Sequence, residues 1–282
     1  IPVGYDRKTN RFKAMEGVFA VAAFLSPGYT VTYNSAYKEI GKPKMLPLFS
    51  YSSVVFYKGE FYAAALRIDR ELRQDLRRMD MGFARKNAER YKKLFPDNRL
   101  VRHLENCAFL YSCPAAKNFF LGKYECPLPT APYCNAKCIG CISDQPGRKC
   151  PITQPRIKFS PTSEEVAEVA LHHIENVKDP VVSFGQGCEG EPLLMDKVLE
   201  GSIKLIRKKT GKGVINLNTN ASRPKTIARL FDTGLDSIRV SLNSIREEYY
   251  NRYYRPVDYK FKDVISSIET ANRKNGFVSI NY

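Results

Sequence analysis

The run Pro180-Val181-Val182-Ser183-Phe184-Gly185-Gln186-Gly187-Cys188-Glu189-Gly190-Glu191-Pro192 is a short apolar strand that breaks into a glycine-rich loop. Five residues of this type read as a strand buried on both faces, and the glycines end it. The same rhythm continues on either side. Residues 161–176 read as a helix opened by Pro161 with Thr162 or Ser163 as cap. Downstream, helices at 193–209, 223–232 and 261–275 alternate with strands at 214–218, 237–242 and 278–282. Strands of about five residues alternating with helices predict right-handed crossovers and a parallel sheet, the α/β class. Such sheets place ligands at the carboxyl ends of their strands. The polar signals obey that rule, since 186–191, Thr219-Asn220 and 241–244 each follow a predicted strand.

Upstream lies Tyr133-Cys134-Asn135-Ala136-Lys137-Cys138-Ile139-Gly140-Cys141, three thiols spaced C-x3-C-x2-C on one short loop. Three soft ligands fit an iron–sulfur cluster that keeps one iron open. They also fit a zinc site completed by Cys126 or Cys150, or thiols with no ligand. Taken with the Gln186–Pro192 segment, this loop resembles the radical S-adenosylmethionine (radical SAM) enzyme superfamily, with no subfamily singled out.

That resemblance covers 127–282 and implies a partial (β/α)6 parallel barrel preceded by an N-terminal α+β module, with a boundary at 125/126. Five strands can be counted, the last one short, so the barrel is expected to continue past Tyr282. The resemblance further implies that Cys134, Cys138 and Cys141 ligate a [4Fe-4S] cluster. S-adenosyl-L-methionine would be held by Gly190, Glu191 and Pro192, by Asn218, Thr219 and Asn220, and by Arg239, Ser241 and Asn243. Cys188 would be a candidate hydrogen donor, and a reductant such as flavodoxin or ferredoxin would supply electrons. Three positions depart from the family's pattern. Gly140 stands where an aromatic residue is usual, Glu189 replaces the first glycine of Gly-Gly-Glu-Pro, and Ala221 replaces the glycine of Thr-Asn-Gly.

The 282 residues suffice for one barrel-sized domain, or a barrel portion plus a smaller module. A formal charge of +16 fits an anionic partner, such as a nucleic acid (RNA among them), an acidic protein or a phosphorylated substrate, and equally a basic surface with no such partner; charge alone does not separate these. Eight cysteines crowded toward the middle of the chain suit a reducing cytoplasm better than a disulfide scaffold. No apolar run approaches the length of a membrane span, and the first residues show no signal-peptide pattern. Cys107, Cys113, Cys126 and Cys150 could hold an auxiliary cluster or zinc, or be buried free thiols. In the N-terminal part, 54–57 and 61–65 predict a hairpin turning at Lys58-Gly59. Residues 69–94 predict one helix, with Leu72, Leu76, Met79 and Phe83 facing the core and Arg70, Arg73 and Arg77 outward. Tyr249-Tyr250-Asn251-Arg252-Tyr253-Tyr254-Arg255 reads either as an amphipathic helix burying its tyrosines or as a stacking surface for RNA. The competing function is therefore a zinc-stapled, basic nucleic-acid-binding protein without catalysis.

Overall fold

The computed structural model describes residues 1–282 except 27, 48, 73, 74, 146, 148 and 149, so the expectation for Arg73 lies outside the described residues. The chain divides into two compact units, residues 1–78 with 147–151, and 79–146 with 152–282.

The first unit is built of short antiparallel strands. Val3–Asp6 pairs with Arg11–Ala14, Tyr29–Val31 with Ala65–Arg67, and Tyr51–Tyr57 with both Ala22–Phe24 and Glu60–Ala63. The expected hairpin is present. Lys58 (φ 50°) and Gly59 (φ 84°) are both left-handed, as a tight turn matching strand twist requires. Two- and three-stranded ribbons bury little, and among this unit's described residues only Ser52 is buried.

The second unit carries the core. Its helices α1 (Met81–Leu94), α2 (Arg99–Phe109) and α3 (Pro114–Leu121) precede strand β1 (Glu125–Pro127). Then follow α4 (Ser163–Asn176), β2 (Val181–Phe184), α5 (Asp196–Lys209), β3 (Val214–Thr219), α6 (Pro224–Thr233) and β4 (Ser237–Ser241). Helices α7 (Glu247–Tyr254) and α8 (Phe261–Arg273) lead to β5 (Phe277–Asn281). The five strands are all parallel and lie in chain order, β1-β2-β3-β4-β5. Because the order never reverses, right-handed crossovers put every crossover helix on one face, the winding of a partial α/β barrel.

Strand alternation then separates two surfaces. Val182, Phe184, Ile215, Leu217, Ile238 and Val240 are buried. The intervening residues are polar and joined in a ladder: Asn216 Nδ2 donates to Asn218 Oδ1 (3.1 Å), and Ser237 Oγ to Asn216 Oδ1 (2.8 Å). Helix ends follow local chemistry. Thr162 caps α4 in a capping box with Glu165, and Gly234, at φ 117°, closes α6.

One expectation shifts. The helix expected over 69–94 begins only at Met81. Asp69 and Asp75 accept from the backbone N–H groups of Glu71 and Arg77, local turns that compete with helix, and Asp80 caps α1 by accepting from Phe83 N. Its buried face is Ala84, Asn87, Ala88 and Tyr91, while Leu72, Leu76 and Phe83 are exposed. By contacts the chain divides at 78/79. Leu100, Val101 and Leu104 of α2 and Phe119 and Phe120 of α3 belong to the same buried core as the barrel strands.

Candidate active site

The cysteine loop leaves β1 and is fastened at both ends by backbone hydrogen bonds. Lys137 N donates to Tyr254 O (2.9 Å), Ile139 N to Tyr253 O (3.0 Å) and Val257 N to Asn135 O (3.0 Å). On the other side, Gly190 N donates to Ala131 O (2.6 Å) and Glu191 N to Tyr133 O (2.8 Å). The stretch Tyr249–Tyr254 therefore resolves as an amphipathic helix. Tyr250 and Tyr254 are buried, and Arg252 points to solvent.

Cys134, Cys138 and Cys141 line one open cleft together with Gly190, Glu191, Pro192, Asn218, Thr219, Asn220 and Ser241. All three thiols are free of disulfides. A single ion held through sulfur at about 2.3 Å would draw its ligands to about 3.8 Å of one another. Among the described residues, the three-ligand group within 4.8 Å is a different one, His103, Cys107 and Cys188. Three thiols around one open cleft are a donor set that fits an iron–sulfur group. Burial pushes the Cys134 thiol up to about 11 and the Cys138 thiol to about 12. Burial also raises Cys141, but Ser143 and Arg156 outweigh it and bring the thiol below its ordinary value. Arg156 Nη2 lies 3.5 Å from Cys141 Sγ and Nε donates to Ser143 Oγ (3.2 Å). Sequence reasoning missed Arg156, a cation that arrives from a separate loop with no local pattern to mark it.

The loop after β2 is shaped by two buried carboxylates with different work. Glu189 Oε2 accepts from Thr130 N (2.7 Å), Thr130 Oγ1 (3.2 Å) and Ala131 N (2.9 Å). Its Oε1 accepts from Gly185 N and Gln186 N, each at 2.7 Å. The residue replacing the family's first glycine is thus a brace, and burial raises its carboxyl despite those bonds. Glu191 accepts from Leu193 N (3.1 Å), Thr219 Oγ1 (2.5 Å) and Asn220 N (2.8 Å), and burial pushes it up to about 7. Three donors leave one acceptor position on this carboxylate for a ligand. Gly190 is irreplaceable in this packing, because a Cβ there would lie 1.8 Å from Tyr133 O.

Gly140 has a local reason as well. A Cβ at Gly140 would lie 2.3 Å from the Tyr253 hydroxyl, so an aromatic ring from α7 occupies the space beside the cysteine loop. Asn220 Nδ2 donates to Asn135 Oδ1 (2.8 Å), tying the end of β3 to the same loop.

Three candidates stand apart from the cleft lining. Arg239 shares a strand face with Ser241 and pairs in register with Asn218, but it is exposed. Asn243 gives its backbone N–H to the Tyr254 hydroxyl, and its own Oδ1 is buried without a partner. Cys188 is buried with its Sγ 3.4 Å from His103 Nε2, which takes it off the cleft and gives the hydrogen-donor reading no support. Cys150 belongs to the first unit, where its Sγ lies 3.6 Å from Leu46 O, and Cys126 is fully buried against Pro127 O.

The family model for the Radical SAM superfamily matches residues 128–282, more than half of the chain. No curated protein matches it. Among solved structures, native anSMEcpe with bound AdoMet is 18% identical, covering 56% of this chain and 43% of its own, at TM-score 0.45. The FeFe-hydrogenase maturase HydG from Carboxydothermus hydrogenoformans is 13% identical, covering 71% and 52%, at 0.42. Methylornithine synthase (PylB) is 17% identical, covering 70% and 58%, at 0.39. The chain spans about half the length of the solved proteins it matches.

Proposed function

This chain belongs to the radical SAM superfamily, and on that premise we propose that it binds a [4Fe-4S] cluster through Cys134, Cys138 and Cys141, with S-adenosyl-L-methionine beside it, to modify a substrate by radical chemistry. The observation that carries this reading is the convergence of those three thiols, Glu191 and the β3 end on one cleft. When bound, the cluster would supply the electron for reductive cleavage of S-adenosyl-L-methionine, the source of the radical chemistry on a substrate.

The chain's own residues position these groups. Glu191 and the backbone at Gly190 accept the cofactor's ammonium, with Pro192 fixing the turn into the following 3-10 segment. Asn218, Thr219, Asn220 and Ser241 offer polar contacts at the strand ends. Arg239 is a cation on that face for a carboxylate, and Asn243 follows Ser241 at the same strand end. Arg156 offsets thiolate charge at Cys141.

A one-electron reductant of the flavodoxin or ferredoxin type is the partner this chemistry needs, and eight free thiols suit a reducing compartment such as the cytoplasm. No helix among the described residues is long and apolar enough to cross a membrane. The charge of +16 favours an anionic macromolecule, RNA or acidic protein, as substrate. The nucleic-acid-binding alternative draws no support from the buried Tyr250 and Tyr254.

Anaerobic reconstitution with iron and sulfide tests the reading. The expected product is a brown protein with about four irons per chain that releases 5′-deoxyadenosine when reduced with the cofactor. Cys138→Ala should lose both properties. A colourless protein carrying one zinc at these three thiols would refute it.

A further inference from the structure

Behind the cleft, three side chains that the proposed reaction does not use come together. His103 and Cys107 stand four residues apart on α2, so they share one face of the helix. Cys188 reaches them from the loop after β2. His103 Nε2 lies 3.4 Å from Cys188 Sγ and 3.4 Å from Cys107 Sγ, and all three ligand atoms fall within 4.8 Å of one another. A tetrahedral ion bound to sulfur at about 2.3 Å and to imidazole nitrogen at about 2.05 Å sets its nitrogen and sulfur ligands about 3.5 Å apart. The two observed nitrogen–sulfur separations match that requirement.

We propose that His103, Cys107 and Cys188 form a second metal site, for one zinc-class divalent ion, which fastens the glycine-rich loop to α2. An imidazole with two thiolates and no carboxylate selects zinc or a similar borderline-soft ion over calcium or magnesium. Cys107 and Cys188 are each 2% exposed, so the ion would be shielded as a structural site requires. Cys113 N-caps α3 close by, its backbone N–H donating to Cys107 O at 2.9 Å, but its thiol lies outside the 4.8 Å group, so the ion would have three protein ligands and a water as the fourth. Binding releases protons from the participating thiols, since the ligating form is the thiolate. The role follows from position. Cys188 sits one residue before the brace Glu189 and three before Glu191, and its own carbonyl accepts from Ile157 N at 2.7 Å. An ion at Cys188 therefore holds the loop from behind while the cleft side stays open.

This inference does not rest on the function proposed above, and its test removes the cleft thiols to keep the two separate. In a Cys134→Ala, Cys138→Ala, Cys141→Ala variant, titration with Co²⁺ should give one equivalent bound, with thiolate-to-cobalt charge-transfer absorption and the visible bands of a tetrahedral centre. Added Cys188→Ser or His103→Asn should weaken binding at least tenfold. The unsubstituted protein provides a measurement independent of variant folding: it should carry one zinc per chain besides its iron, and stripping that zinc should expose Cys107 and Cys188 to alkylation. Absence of tetrahedral cobalt bands in the triple variant, bands that persist in Cys188→Ser, or alkylation of Cys107 and Cys188 that ignores zinc would each overturn the proposal.

Discussion

Two groups of sulfur meet the loop after β2, and they are built differently. Cys134, Cys138 and Cys141 come from eight consecutive residues and line an open cleft, and they are not the group whose ligand atoms all fall within 4.8 Å of one another. Cys107 and Cys188 come from a helix and a distant loop, are buried, and converge with His103 inside 4.8 Å. A contiguous loop can present thiols around a space and leave a side free for a second molecule. Sulfurs that meet through tertiary packing enclose their ion instead. Cysteine count says nothing about which arrangement results. The origin of each thiol in the chain does.

The first group should be the more fragile, because its loop is held by backbone contacts from elsewhere. Gly190→Ala is the severest test. Its Cβ would come within 1.8 Å of Tyr133 O, and neither backbone can yield cheaply. Iron content after reconstitution should drop to background. Wild-type iron loading in this variant would show that contact between the two loops is dispensable.

The two carboxylates between the groups divide support from binding. Glu189→Gln sets an amide N–H₂ against a ring of N–H donors and should cost about 3 kcal/mol in denaturant unfolding. Glu191→Gln faces fewer donors, one of them the rotatable Thr219 hydroxyl, and should cost about 1–2 kcal/mol in stability. Calorimetric titration with S-adenosylmethionine should reverse the ranking, with Glu191→Gln the weaker binder. Equal losses in both assays would dissolve the division of labour.

Acid should loosen the helical layer that backs the second group. His173 of α4 is buried against Tyr124 O, 3.2 Å from its Nε2. Burial foremost, then neighbouring His172, hold its imidazole at about 4, below the ordinary 6.5, against the pull of the Tyr124 carbonyl. A depressed histidine contributes stability above pH 6.5 that is lost as pH falls through about 4, here up to about 3 kcal/mol. His173→Gln, which keeps a donor for Tyr124 O, should flatten the stability profile across that window. An unchanged slope would place the acid sensitivity elsewhere.

What could be read from the chain follows the same divide between local and long-range causes. Strands β2 to β5 were legible because each is a short apolar run with a turn or cap beside it, such as Thr162 or Gly234. The three loop thiols were legible because their spacing is local. The start of α1 was misread because aspartates 69, 75 and 80 set their own turns against an apolar period. The pairing of Cys107 with Cys188 spans 81 positions and has no local mark, although His103-x3-Cys107 on a helix was a usable hint. Glu189 as a brace was invisible, since its five donors come from two separate segments.

The smallest expected effect concerns the position where the family's aromatic residue is missing. Gly140 is small because the Tyr253 hydroxyl stands 2.3 Å from where a Cβ would be, with the ring carbon bearing it at 3.3 Å. Gly140→Ala alone should destabilise the protein by about 1–2 kcal/mol through overpacking. Tyr253→Phe removes the nearest atom and leaves the next at a tolerable distance, so the double variant should recover most of that loss, seen as a coupling in the thermal midpoints. Ring and glycine are then one fitted pair, the ring from α7 taking up beside the loop the bulk absent at position 140. Strict additivity of the two substitutions would mean that the cysteine loop moves aside on its own, and that the open group is less tightly held than its backbone contacts imply.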